Sequence, residues 1–253
     1  MTGNVSASAS RPARYLPQLL LRPARVDTPE LLDRSGHDPA LLAGNLADLS
    51  RVNRWLGGIR LTLQALERLV VDLPPGAALH IVDVGAGGAD IPAAVAEWAA
   101  RRGLRPRILA VDICPEILRL ATRSPMHAVA PLLADGRGLP FADGSLDVAI
   151  CSLVLHHLSP EHAVALLREM GRVARHGIVV NDLVRTWTGY LGAWLLSRAL
   201  TRNPLTRHDA PLSVRKAYTR AELVELLSRA GLRPVAGIGF LGYRLALAAR
   251  RPA

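Results

Sequence analysis

Four acidic residues and two glycines carry the most chemical information in this chain. Asp83, Gly85 and Gly87 lie within Ile81-Val82-Asp83-Val84-Gly85-Ala86-Gly87-Gly88-Ala89-Asp90. There an apolar, β-branched run meets an acid, then a glycine turn, then the helix-like stretch Ile91 to Ala100. Glycines let the backbone come close to a ligand, and open α/β sheets bind ligands at the carboxyl ends of their strands. The stretch therefore reads as the opening of a nucleotide-type binding unit. A dinucleotide fingerprint G-x-G-x-x-G would need glycine at position 90, where Asp90 stands. Arg107 to Asp112 reads as a second short buried strand ending in an acid, one βαβ interval further on. A carboxylate there accepts hydrogen bonds from vicinal ribose hydroxyls. A third strand-like run, His127 to Leu133, ends in Ala134-Asp135-Gly136.

Proton-transfer chemistry has its own candidates. His156 and His157 follow a fourth apolar run, and an imidazole with an unperturbed pKa near 6.5 can accept a proton at neutral pH. His208 is a third, because the neighbouring Asp209 could orient its ring. Asp182 closes a fifth strand-like run, Gly177 to Asp182, where capping the following turn is the plainer role.

The elements that must position these residues follow an α/β rhythm. Thr28-Pro29-Glu30 and Asp38-Pro39 each read as a helix start with a cap and a proline in the first turn. Leu46 to Val71 carries apolar residues at helical spacing, interrupted by Gly57-Gly58. Ser159-Pro160-Glu161 opens a helix to about Ala174, with Val164, Leu167 and Met170 on one face. Thr219-Arg220-Ala221-Glu222 is a capping box for a helix that stops near Gly231. Val235 to Phe240 and Tyr243 to Ala249 predict a terminal hairpin. Leu183 to Tyr218 is too long for a simple connection. Its apolar first part, Trp187 to Leu196, predicts an insertion helix that walls a hydrophobic pocket or packs as a lid on the sheet.

Five ordered matches over residues 80–158 identify a family resemblance. Asp83-Val84-Gly85-Ala86-Gly87 resembles motif I of the class I S-adenosylmethionine (SAM)-dependent methyltransferases. Asp112 and Asp135 match in spacing. Leu139-Pro140-Phe141-Ala142-Asp143-Gly144-Ser145-Leu146-Asp147-Val148-Ala149-Ile150 resembles the family's passage into strand four, and Ser152-Leu153-Val154-Leu155-His156-His157-Leu158 is a frequent family phrase. Ala89 departs from the pattern, standing where the family usually has a third glycine.

The resemblance implies an α/β, Rossmann-like fold: a seven-stranded, mostly parallel sheet with its last strand antiparallel, plus an N-terminal helical cap. It implies that Asp83, Gly85 and Gly87 hold the amino-acid end of SAM, that Asp112 holds the ribose, and that Ile113 packs on adenine with Asp135 and Gly136 at the ring edge. Asn45 to Gly58 is similar to the cap of methyltransferases (type 11/25-like) acting on small lipophilic phenols and quinones. There Arg54 or Asn53 would reach the methionine carboxylate. Arg207, Asp209, Ser213, Val214 and Arg215 match an R-x-D-x-x-x-S-V-R passage of the same enzymes. The implied activity is methyl transfer to a small lipophilic, phenolic or quinone-type acceptor, O-methylation ahead of C-methylation. His157 is the first choice of base, before His156 and His208. An RNA methyltransferase and a non-catalytic SAM-binding scaffold or regulatory protein are the other readings, and Asp90 argues against an NAD oxidoreductase.

Composition bounds these expectations. A chain of 253 residues, half of them hydrophobic, suits one decorated α/β domain. The expected organisation is a disordered or extended tail over 1–27, a helical cap over 28–73, and a SAM-binding domain over 74–253 with a lid insertion at 183–218. The first 13 residues lack the apolar stretch of a signal peptide, and no run reaches the ~18 apolar residues of a membrane span. Cys114 and Cys151 are expected to pack in the sheet region, with no disulfide and no metal site, in a reducing cytoplasm. The formal net charge is +10, carried almost wholly by arginine, with Lys216 the only lysine. No run interleaves these arginines with aromatics, as a base-stacking surface requires, so a nucleic-acid partner is not expected. Oligomeric state is not legible from the sequence.

Overall fold

The computed structural model describes residues 22–121 and 128–252. Most of the expected tail, and His127 at the head of the third strand-like run, lie outside these residues.

The chain opens with two helices, α1 (Pro39–Trp55) and α2 (Gly58–Val70). Asp38 caps α1 by accepting from the amides of Ala40 and Leu41. Gly57, at φ +91°, breaks the apolar run where the two predicted segments meet. Strand β1 (Ala78–Val84) then leads through the glycine turn to α3 (Asp90–Arg101), β2 (Arg105–Asp112), α4 (Pro115–Ala121) and β3 (Val129–Leu133). Strand β4 (Leu146–Ser152) and a short 3₁₀ turn (Leu155–His157) precede α5 (Pro160–Val173) and β5 (Ala174–Leu183). Two insertion helices follow, α6 (Trp187–Leu200) and α7 (Pro204–Lys216), and then α8 (Arg220–Arg229), β6 (Arg233–Phe240) and β7 (Arg244–Arg250).

The seven strands form one sheet in the order β3-β2-β1-β4-β5-β7-β6. Strands β1 to β5 pair in parallel, and β7 runs antiparallel between β5 and β6. The seven-stranded, mostly parallel sheet with an antiparallel last strand is therefore as expected. The capping box at Thr219 and Glu222 also forms.

Side-chain alternation divides the core into two layers. On one face Ile81, Ile108, Ile150, Val179 and Ala246 pack under α2 and α3, through residues such as Leu66 and Val95. On the other face Val82, Cys151, Val180 and Leu247 pack under α5 and α8, through Leu167, Met170 and Leu227. Cys151 is core, whereas Cys114 sits half-buried beyond β2, its Sγ 3.2 Å from Glu116.

The helix expected at Thr28 does not form, and residues 23–37 run as loop and turns. Tertiary partners take the groups that a helix would use. The amides of Leu31 and Leu32 donate to Asp209 at 2.9 Å each, and the buried Glu30 carboxylate accepts from Ser213 Oγ.

Candidate functional site

The parallel strands end at one edge, and there the glycine turn is built. Gly85 has φ +72°, and a Cβ added to it would run into Val154 Cγ2. An L side chain is thus excluded both by conformation and by the close passage of the loop after β4. Gly87 has open space where a Cβ would lie. Its amide donates to Asp112 Oδ2 at 3.0 Å, while Asp112 Oδ1 accepts from the amide of Cys114 at 2.9 Å. Asp112 thereby ties the turn to the end of β2. Ala89, in the position of the family's usual third glycine, adopts the left-handed region at φ 59°.

Three buried polar atoms at this edge have no hydrogen-bond partner among the described residues: Asp83 Oδ1, Asp90 Oδ2 and Arg244 Nη1. Burial, and after it the charges of Asp90 and Asp112, push the Asp83 carboxyl well above the usual carboxylate range. Arg244 is 1 % exposed. Its Nε donates to Asn181 Oδ1 at 2.8 Å and its Nη2 to Asn53 Oδ1 at 2.7 Å and Ser152 Oγ at 3.3 Å. Burial lowers its pKa to about 10, against the opposing pull of Asp182 and other anions. Alternation places Asp83, Ser152, Asn181 and Arg244 on the face covered by α2 and α3. Orphaned buried polar groups are rare and need a partner.

These atoms fit the expected cofactor. Two carboxylate oxygens lacking a donor suit an ammonium, and a guanidinium nitrogen lacking an acceptor suits a carboxylate. Ile113, 66 % exposed beside Asp112, leaves apolar surface for an aromatic ring. Gly136 lies so close to Val84 that no Cβ fits. The Asp135 carboxylate is held by Arg137, at 2.6 Å from Nη2, with the Arg137 amide at 2.9 Å. Arg54 is not brought to the edge: it is exposed, over the Trp55 ring at 5.9 Å, because Asn53 takes the inward position on α1.

A second network occupies the opposite face, from Asp182, the residue after Asn181. His156 Nδ1 lies 2.6 Å from Asp182 Oδ1, and His157 Nδ1 lies 2.8 Å from Asp33 Oδ1. Burial lowers the His156 pKa, but the charge and hydrogen bond of Asp182 outweigh it and the net shift is upward. The same pair holds Asp182 below the usual range although burial alone would raise it. Glu30 closes the group, its Oε1 3.7 Å from His156 Nε2 and its Oε2 3.8 Å from His157 Nε2. Lys216 Nζ lies 3.4 Å from both Glu30 Oε1 and Asp33 Oδ2.

The R-x-D-x-x-x-S-V-R residues lie on α7 and dock residues 23–37. Asp209 receives Leu31, Leu32 and also His208 Nδ1, the last at 2.7 Å. His208 is thus oriented as adjacency suggested, but its ring stands half-exposed outside the His156–His157 pair. Arg207 instead donates to the carbonyls of Thr201 and Arg198. Helix α6 packs its small residues Gly189 and Ser197 inward. It does not lie on the sheet, and Trp187 (43 %), Leu191, Trp194 and Leu195 face outward.

Sequence reasoning passed over Arg244, Glu30, Asp33 and Ser152. Asn53 is, with Arg54, a sequence candidate for the methionine carboxylate, whereas Asn181 was legible only as a position. Their partners lie up to 191 residues away; an arginine opening β7 ahead of the apolar run Leu245–Ala249 was the one available signal.

Among known proteins, the sequence model of the family described as "Methyltransferase domain" matches residues 82–180. The chain is 30 % identical over 239 residues to a demethylmenaquinone methyltransferase of Beutenbergia cavernae, covering 83 % of this chain and 87 % of that protein. A SAM-dependent methyltransferase from Aquifex aeolicus superposes with a TM-score of 0.55 at 18 % identity, over 85 % of this chain and 98 % of that one. Human N-acetylserotonin methyltransferase in complex with SAM gives 0.61 at 20 %, over 85 % and 57 %.

Proposed function

From the premise that this chain belongs to the class I SAM-dependent methyltransferases, we propose that its acceptor is a small lipophilic phenol or quinone-type molecule, methylated on oxygen ahead of carbon. The observation that carries this reading is the pair of histidine–carboxylate contacts at the ends of β4 and β5, packed against insertion helix α7, whose neighbour α6 presents tryptophan and leucine outward. The Beutenbergia relative, named for a quinone-type acceptor, supports it.

When bound, SAM supplies an electrophilic methyl group on a sulfonium, so the protein's task is alignment and proton management. Asp83 and Asp90 would hold the ammonium of its amino-acid end. Arg244 Nη1 would take the carboxylate, the role expected of Arg54. Asp112 would hold the ribose, with Ile113, Asp135 and Gly136 around the adenine. On the acceptor side, His157 Nε2 would take the hydroxyl proton of a phenol, whose pKa lies near 10. Asp33 orients the ring through Nδ1, as a carboxylate orients the imidazole in other acid–base sites. His156, buried and paired with Asp182, steadies the group electrostatically.

The test is labelled SAM with a panel of phenols, hydroxyquinones and total RNA, each as a separate arm. Transfer to a phenol or hydroxyquinone is expected, and transfer to RNA alone would replace this reading with the nucleic-acid one. With the preferred acceptor, His157→Asn should lower kcat on the order of 10²-fold while leaving SAM affinity unchanged.

A further inference from the structure

Glu30, His156 and His157 place three metal-type ligand atoms within 4.8 Å of one another. We propose that they form a binding site for one divalent transition-metal ion of the zinc, cobalt or manganese type. The sequence alone suggested no such site, because Glu30 is 126 residues from His156 in the chain and was read as part of a helix start.

The geometry is that of ligands already oriented. A metal-bound histidine usually gives its other ring N–H to a carboxylate, which fixes the tautomer and the ring. Both histidines do so here, His156 to Asp182 at 2.6 Å and His157 to Asp33 at 2.8 Å. With the protons on Nδ1, both Nε2 lone pairs are free and face Glu30. The separations from Nε2 to the Glu30 oxygens, 3.7 and 3.8 Å, are too long for hydrogen bonds. They approach the ~3.4 Å between two donors of a tetrahedral ion with bonds of about 2.1 Å. Two imidazoles and one carboxylate form a donor set shared by zinc enzymes and by other divalent sites with open positions.

The charged neighbours decide affinity. Asp33 and Asp182 add negative charge behind the rings, and Lys216 is the opposing cation, 3.4 Å from Glu30 Oε1. It is the only lysine of the chain, and it competes with an ion for the Glu30 carboxylate. A proton and a metal also compete for the same Nε2 atoms, so His157 acts as a base only in the metal-free state. The site itself stands whether or not the acceptor reading holds, and its test needs neither SAM nor acceptor.

Full-length protein stripped with chelator should bind one equivalent of Co²⁺, with visible ligand-field absorption, and one of Zn²⁺ by calorimetry. Glu30→Gln should weaken both by tenfold or more, and Asp33→Asn by about tenfold through the orientation of His157. Lys216→Met should tighten binding, which also covers the case in which Glu30→Gln fails to fold. No saturable binding, binding that Glu30→Gln leaves unchanged in a folded protein, or weaker binding by Lys216→Met would each overturn the proposal.

Discussion

On the proposed cofactor reading, Asp112 would perform two tasks with one carboxylate. Its oxygens already hold the Gly87 and Cys114 amides, and each retains a lone pair for a ribose hydroxyl. Asp112→Ala should therefore loosen the turn and remove the ribose acceptor together. A fall in SAM affinity on the order of tenfold or more is expected, a free-energy change of about 1.4 kcal/mol or greater. Calorimetry on folded protein would read it, and unchanged affinity would remove Asp112 from the site. Gly85 makes a sharper case, because two separate costs meet there. Gly85→Ala adds the left-handed penalty of about 1–2 kcal/mol and a collision with Val154. Adding Val154→Ala relieves the collision but not the backbone strain. The single variant should lose SAM binding and the double variant should recover part of it. Equal affinities in the two would show that Val154 is not the obstacle.

At the scale of elements, β4 is held from both sides by Asp147. Its carboxylate accepts from the His80 amide on β1 and from Arg175 Nε on β5, each at 2.7 Å. Burial raises the Asp147 pKa, but the Arg175 hydrogen bond and the His80 amide prevail and hold it below the ordinary carboxylate value. Folding therefore favours the ionised form. That stabilisation is complete above the ordinary value and is lost as pH falls through the lowered one. Asp147→Asn should cost about 1–3 kcal/mol near neutrality. In urea titrations the gap from the parent should be constant down to about pH 5 and narrow below pH 4; a gap that widens there would contradict it. This strand was legible in the sequence, like the glycine turn, Asp112 and the Thr219 capping box, because each depends on neighbours within one element or one βαβ unit. The Thr28 helix start failed for the opposite reason. Its local signal was sound, yet Asp209 and Ser213 on α7 draw the same backbone and side chains into a loop. Periodicity marked α6 as apolar but could not tell whether another layer would cover it. The Arg244 network brings together α1, β4, β5 and β7, so no window along the chain contains it.

Across the whole molecule, the proposed function puts the two ends of the reaction on opposite faces of one sheet, and Asn181 and Asp182 divide at its edge. Asn181 joins Arg244 and, through Thr62 and the Gly58 carbonyl, α2. Asp182 joins His156, whose Nε2 faces Glu30 of the 23–37 loop. Part of the net charge of +10 serves this assembly. Arg25 reaches the carbonyls of Lys216 and Leu158, Arg185 that of Ala217, and Arg250 those of Arg68 and Leu69. Arginine here ties chain crossings and helix ends, where cations are favourable. The division between faces makes a separable prediction. Asp209 anchors the 23–37 loop through the Leu31 and Leu32 amides and makes no hydrogen bond to the glycine turn or to Arg244 among the described residues. Asp209→Ala should release the loop that carries Glu30 and Asp33. SAM affinity by calorimetry should stay within about twofold of the parent, because that difference is under 0.5 kcal/mol. On the proposed acceptor reading, turnover of a phenol should fall by tenfold or more as His157 loses its orienting carboxylate. If SAM affinity and turnover fell by the same factor, the two faces would be one coupled site and the assignment of cofactor to one and acceptor to the other would fail.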